Sequence, residues 1–322
     1  MLQQTTVQAV AGYYRKFLAL WPDVAALAAA RQEDVLAAWA GLGYYARARN
    51  LHAAARIVAN EPDGQFPTTF EGLRALPGVG DYTAGAIAAI AFDLPHAAMD
   101  ANAERVIARM FSITEALPAS KAAMRAALQA LVPRKRPGDF AQALMDLGSA
   151  ICTPKRPDCG NCPWERDCLA REQGIQETLP VKGPRIARPL KRGAAFVARN
   201  KNGAILLVRR PDKGLLASML EPPLGPWTSD FPSAAKAVRQ APFGAEWKKR
   251  SGMVRHGFTH FELEIEVYFA DVPKRTKLND PQKAGEARWV PRNELAGAAL
   301  PTVMRKIIAH GLDEGGPLFA RS

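Results

Sequence analysis

The four cysteines of the chain fall within seventeen residues, Cys152, Cys159, Cys162 and Cys168, in the spacing C-x6-C-x2-C-x5-C. Thiols clustered this way point to metal rather than disulfides in a reducing compartment. Four thiolates can ligate one tetrahedral ion or a cubane iron–sulfur cluster. Zinc usually takes two C-x2-C pairs, and here only Cys159 and Cys162 are so close. No flavin or nicotinamide fingerprint accompanies them, which argues against a redox enzyme. Lys155, Arg156 and Arg166 beside the loop suit phosphate contacts. A second string, Leu76-Pro77-Gly78-Val79-Gly80, closes one helix and opens another near Asp81. Its glycines let a ligand approach the backbone, and helix N-terminal amides favour anions, so a phosphodiester fits. Alone, a Gly-x-Gly turn is more often a tight connection. Asp100, in Met99-Asp100-Ala101-Asn102, reads by itself as a helix cap.

These residues need elements to hold them. Up to about Ala170 the chain reads as amphipathic helices, with Val24 and Leu27, then Val35, Leu36 and Trp39, at helical spacing. Thr68 and Glu71 form a capping-box pattern, followed by Phe70, Leu73 and Leu76 on one face. Ala84, Ile87 and Ile90 mark the helix after the glycine turn, and Val106, Ile107 and Met110 the one after Asp100. No strand is expected before the cysteines. From Thr178 to Arg192 the composition turns to Pro, Gly, Lys and Arg, the look of an exposed linker. Then the period changes to two. Ala204–Val208 follows an Asn202-Gly203 turn, and Phe261, Leu263, Ile265, Val267 and Phe269 alternate with Glu262, Glu264, Glu266 and Tyr268, a strand with one buried face. Pro301 to His310 reads as a helix. The expectation is a mainly α protein: a helical domain at 1–172, a linker at 173–192 and a smaller α+β domain at 193–322.

At 322 residues and 48% hydrophobic content the chain is long enough for two cores and is not a disordered one. A net charge of +12 favours a polyanionic partner, nucleic acid foremost. Neither a signal-peptide pattern nor a membrane-length apolar run is visible, which predicts a cytoplasmic protein without a membrane partner.

Together, Leu2-Gln3-Gln4-Thr5, the run from Gly41 to Asn50 (GLGYYARARN), Leu76-Pro77-Gly78-Val79-Gly80 and the cysteine loop resemble adenine DNA glycosylases of the MutY type, in the endonuclease III superfamily. The resemblance covers nearly the whole chain. It implies a helix-hairpin-helix glycosylase domain, a [4Fe–4S] cluster on the four cysteines and a Nudix-like C-terminal domain. Asp100 would be the carboxylate that stabilises positive charge on the deoxyribose as the base leaves. Bifunctional relatives carry a Schiff-base lysine two residues after the hairpin, and Tyr82 stands there, implying base removal without strand cleavage. Gln3, Gln4, Leu42 and Tyr44 would wedge into the duplex or stack beside the orphaned base, although Leu42 and Tyr44 as bare residues read as core. Gly78, Gly80 and Asn102 would lie against the DNA, and Gln142 would read the extruded adenine.

In the second domain Phe258-Thr259-His260 resembles the family's Phe-Ser-His loop for 8-oxoguanine, with the hydroxyl kept and a methyl added. After Gly214 comes Glu221 but no magnesium-binding Nudix box, so this domain is expected to recognise rather than hydrolyse. The implied partner is double-stranded DNA with A opposite 8-oxoguanine or G, bound by a monomer and drawing it to the nucleoid. The family's general acid, a glutamate two residues before the Met-Leu-Gln-Gln-Thr string, would precede Met1, as would a helical arm that packs on the cluster domain. The 322 residues are therefore expected to excise poorly. Competing readings are a bifunctional pyrimidine glycosylase/lyase, disfavoured by Tyr82, and a non-catalytic lesion-binding protein. A nucleotide pyrophosphohydrolase lacks its box.

Overall fold

A computed structural model describes residues 1, 6–184, 187–273 and 287–313. The chain forms two compact units: Ile57–Ile186, and Met1–Arg56 together with Ala187–Ser322.

In the first of these, α5 (Phe70–Ala75) starts where the Thr69 hydroxyl accepts the Gly72 N–H at 3.1 Å. The cap is thus Thr69, not Thr68: Thr69 has the extended backbone that aims its oxygen at the third amide. Glu71 then sits in the first turn, where its charge suits the helix dipole. Helix α6 (Asp81–Phe92) buries only small residues, Ala84, Gly85, Ala88 and Ala89. A Cβ at Gly85 would stand 2.2 Å from Ala97 O, so the glycine lets the extended segment at 97–99 lie directly on α6. Gly138, at the start of α9 (Pro137–Asp146), likewise leaves a Cβ position only 2.7 Å from Ala89 O. This close packing places Tyr82, on α6, beside the segment that ends in Asp100. Helices α7 (Ala101–Met110), α8 (Lys121–Leu131) and α9 bury Val106, Ile107, Met124, Leu128 and Leu144 in one cluster. A π-helical turn, Leu147–Ile151, delivers the chain to Cys152.

The expected linker is partly core. Leu179 is buried in that same cluster, Val181 packs on it, and Leu117 N–H donates to Val181 O at 2.9 Å. Apolar side chains among the prolines and lysines explain why the exposed stretch is shorter than 173–192.

The other unit contains α1 (Val7–Leu20), α2 (Val24–Ala29) and α3 (Gln32–Trp39), whose Phe17, Val35, Leu36 and Trp39 form a core with Met219 and Ala299. Arg49 donates to Ala217 O at 2.9 Å, and Arg288 pairs with Glu33. By these contacts the first 56 residues group with the C-terminal region, while the expected helical domain runs from 1 to 172. Helix α4 (Ala46–Asn60) crosses the boundary of the two units.

The strands of this unit are β1 (Leu190–Asn200), β2 (Ile205–Arg209), β3 (Leu220–Glu221), β4 (Lys248–Lys249), β5 (Val254–Gly257), β6 (Glu262–Val272) and β7 (Ala287–Val290), and its sheet runs β3-β2-β1-β6-β4, with β5 also on β6 and β7 also on β2. Its centre is the parallel pair β1 (Leu190–Asn200) and β6 (Glu262–Val272), in register from Leu190↔Glu262 to Asn200↔Val272. Asn200 Oδ1 accepts the Asn202 and Ala204 N–H groups, closing the turn into β2 (Ile205–Arg209). The helix Thr302–Gly311 covers one face with Val303, Met304, Ile307 and Ile308. On the other, Ala237 of the helix Ala234–Arg239 joins Phe196 and Tyr268. The second half of β6 is therefore buried on both faces, not on one as its alternation predicts. Among the described residues, no helix is long and apolar enough to cross a membrane.

Candidate functional site

In the helical unit the glycine turn is a tight one. Val79 N–H donates to Leu76 O at 3.1 Å, and Gly78 adopts φ +77°, a conformation that favours glycine. Gly80 is extended at the N-cap of α6, and a Cβ there would meet no heavy atom within 4 Å. The N-terminal turn of α6 thus begins beside a bare glycine with open space around it, and helix N-terminal amides favour an anion. Asp81, one residue on, is held by both Arg74 (2.8 Å) and Arg125 (3.3 Å).

Asp100 caps α7: its Oδ1 accepts the Ala103 N–H at 2.7 Å. That one bond fixes the carboxylate and leaves its other oxygen without a hydrogen-bond donor among the described residues. Tyr82, packed among Ala89, Ala98 and Ala141, has its phenol pushed up first by burial and then by the Asp100 charge. Tyr82 is accordingly a protonated donor near a carboxylate at neutral pH. Asn102 points its amide oxygen at Arg105 (2.9 Å), and Gln142 is exposed, donating back to Gly138 O at 3.1 Å.

The same helix grips the cysteine loop. Arg105, next to the buried Val106 and Ile107, donates to Cys152 O at 2.7 Å and Gly148 O at 2.5 Å. Arg109, one turn later, donates to Cys152 Sγ at 3.2 Å and Thr153 O at 2.8 Å. All four cysteines line a single cavity with Arg109, Asp158, Glu165 and Arg171. Burial raises the Cys159 and Cys162 thiols, with Cys152 and Cys168 pushing the same way. The loop thus brings the four thiols near enough for their charges to interact. Among the described residues, no group of three or more His, Cys, Asp or Glu is drawn together as a single ion requires.

In the sheet-bearing unit, a turn at 41–44 displays Tyr44. Gly41, Gly43 and Tyr44 all have positive φ, the last at 48°. Trp39 Nε1 donates to Gly43 O at 3.1 Å and Tyr13 Oη to Ala40 O at 3.0 Å, holding the turn. Leu42 is half-buried against the Phe17–Trp39 cluster, while Tyr44 is 51% exposed with the Arg47 guanidinium 5.5 Å from its ring centroid. Phe258, Thr259 and His260 form the turn between β5 (Val254–Gly257) and β6, closed by Phe258 N–H to Phe261 O at 2.8 Å. Phe258 stacks on Phe261 at 4.7 Å between centroids, leaving Thr259 and His260 exposed at the tip. Burial, then Lys306, lowers His256 beside them, keeping that ring neutral. Thr259 Oγ1 lies 3.4 Å from Tyr44 Oη, so two residues singled out separately stand side by side. Gln3 and Gln4 lie outside the described residues.

Sequence reasoning passed over Arg105 and Arg109. Two arginines four apart on a helix usually read as a solvated stripe, but here they share α7's face with Ala108 and Val106 and are buried. Their spacing on an otherwise apolar face was the available signal. Arg47, whose guanidinium lies over the Tyr44 ring, is a third such residue, within the run from Gly41 to Asn50.

Two family models match the chain: HhH-GPD superfamily base excision DNA repair protein over residues 1–134, and NUDIX domain over residues 194–310. The adenine DNA glycosylase of Homo sapiens is 36% identical over 95% of this chain and 66% of its own length. That of Rattus norvegicus is also 36% identical, over 95% of this chain and 69% of its own. The chain therefore spans about two thirds of the length of these relatives. A solved structure of a thermostable thymine-DNA glycosylase matches with TM-score 0.48 and 30% identity, covering 53% of this chain and 80% of that one. With a helix-hairpin-helix glycosylase region followed by a Nudix-like sheet region, the chain belongs to the adenine DNA glycosylase family, enzymes that hydrolyse N-glycosidic bonds.

Proposed function

We propose that this chain acts on double-stranded DNA in which adenine faces 8-oxoguanine or guanine, releasing the adenine and leaving the strand intact. The observation that carries the reading is the 3.4 Å pairing of Tyr44 with Thr259. A planar ring and a hydroxyl set together on one exposed rim suit a base that has lost its partner: the ring stacks, and the hydroxyl bonds its edge. Phe258 and His260 complete the rim. Glu221, which a hydrolytic Nudix site would offer to a metal, is engaged by Arg210, and this supports recognition over hydrolysis.

For the chemistry, the Asp100 carboxylate stabilises positive charge on C1′ as the glycosidic bond lengthens, with its cap bond holding it in place. Tyr82 supplies a hydroxyl near that carboxylate and no amine, so no Schiff base forms and the backbone stays whole. Gly78 and Gly80 admit a phosphate at the α6 N-terminus, and Gln142 reads the extruded adenine. The four cysteines form the donor set for a [4Fe–4S] cluster: four soft thiols lining one cavity. Such a cluster, when bound, cross-links the loop at 152–168.

The test is single-turnover excision from an A·8-oxoguanine duplex, by residues 1–322 and by a chain extended before Met1 with a glutamate-bearing segment. Adenine release by the extended chain, lost on Asp100→Asn, supports the proposal. Borohydride trapping of a covalent adduct, or release of pyrimidines in place of adenine, sinks it.

A further inference from the structure

We propose that Arg109 is the buried counterion of the cysteine-loop cluster, a positioning residue that holds Cys152 Sγ and sets the cluster's reduction potential. The inference rests on the reading of the four cysteines as a [4Fe–4S] site. Arg109 is 2% exposed. Its guanidinium donates to four acceptors: Leu179 O (3.3 Å), Thr153 O (2.8 Å), Pro154 O (3.2 Å) and Cys152 Sγ (3.2 Å). Three of these are neutral carbonyls, and no carboxylate among the described residues forms an ion pair with it. Glu165, on the same cavity wall, is paired with Arg171, and Asp158 accepts from Asn161.

A buried cation without an anion is among the costliest arrangements in a protein interior. The one acceptor able to carry negative charge is the Cys152 sulfur. Four thiolates on a [4Fe–4S] core leave the whole assembly anionic, and the charge that Arg109 lacks is then supplied at 3.2 Å. The Arg109 backbone adds a second tie, its carbonyl oxygen lying 3.6 Å from Cys168 Sγ. Hydrogen bonds to cluster sulfurs and local charge are what set the potential of such clusters. Reduction adds one electron from an external donor, so a fixed cation beside the thiolates favours the reduced state. Because α7 begins at Asp100 and ends in this contact, the helix that carries the candidate catalytic carboxylate is anchored by the cluster loop.

The experiment compares holoprotein with Arg109→Met and Arg109→Lys, reading iron and acid-labile sulfide content, bleaching by a chelator, and a dithionite titration of the potential. The Met variant should show a more negative potential, by about tenfold in the reduction equilibrium or about 59 mV for one electron, and should bleach faster. The Lys variant, which keeps the charge without the planar fork, should recover more than half of that shift. An unchanged potential in the Met variant overturns the proposal, as does an equal shift in both variants, which would make Arg109 a carbonyl clamp. If the Met variant holds no cluster, Lys decides: a loaded Lys variant near the parent potential supports the counterion, and an equally empty one overturns it. Parent protein without iron and sulfide would instead remove the cluster reading itself, and this inference with it.

Discussion

Asp100 and Asn102 are tied down by a cap bond and a buried arginine, whereas Tyr44 and Thr259 stand on exposed turns and meet through one long 3.4 Å contact. The helical unit builds its candidate chemistry into α7, whose other end is locked to the cysteine loop. The sheet-bearing unit puts its candidate recognition groups on turns, one after α3 and one between β5 and β6. Groups that stabilise a transition state must be held in place before the reaction. Groups that read a base can settle on it after contact, and loops suit that work. The two regions should therefore respond differently to substitution.

The largest effect should fall on the scaffold of the sheet. Ile265→Ala, at a fully buried position of β6, should cost about 2–5 kcal/mol in urea unfolding. If the sheet is only a carrier for the Thr259 loop, excision under folding conditions should change little. Next, Asp100→Asn should lower single-turnover excision by about 10²–10³-fold. Asparagine caps helices as well as aspartate does, so stability should move by less than about 1 kcal/mol. A large stability loss with intact excision would make Asp100 a cap and nothing more.

Much of this arrangement could be read in the residues. The glycine turn, the helix after Asp100 and a strand at β6 all match what folds, because each is a local pattern. What escaped depends on distant partners. Nothing near Phe17 or Trp39 announces Met219 and Ala299 as their neighbours. Leu179 and Val181 look like a linker until Leu117, sixty residues earlier, takes them into its core. The parallel β1–β6 pairing and the helix on its second face are likewise non-local. Arg109 was illegible for the same reason, since its acceptors lie on a loop more than forty residues away.

Smaller changes sharpen the contrast. Gly85→Ala forces a methyl to within 2.2 Å of Ala97 O, so α6 and the segment before Asp100 must separate. It should cost about 1–3 kcal/mol and lower excision as well, since the displaced segment carries the carboxylate. Thr259→Ala should reduce preference for A·8-oxoguanine over A·T by about tenfold, the worth of one hydrogen bond. Thr259→Ser should retain it, and stability should be unaffected by either, as the position is exposed. At the low end is the surface pair Arg199–Asp271, in which the arginine hydrogen bond holds the Asp271 carboxyl below its ordinary value. Its contribution is present above the unfolded carboxyl pKa and fades as pH falls through the lower folded value. Both partners are largely exposed, so Asp271→Asn should cost about 1 kcal/mol or less near neutral pH, measured by urea unfolding.

Adenine release through Asp100 and lesion reading through Tyr44 and Thr259 are the two halves of the proposed function. Single-turnover adenine release from A·8-oxoguanine and A·T duplexes, by the extended chain with and without Thr259→Ala, tests it most directly. Rapid release opposite 8-oxoguanine, little opposite thymine, and a narrowed gap in the variant are expected. Equal release from both duplexes by the unsubstituted chain would contradict it.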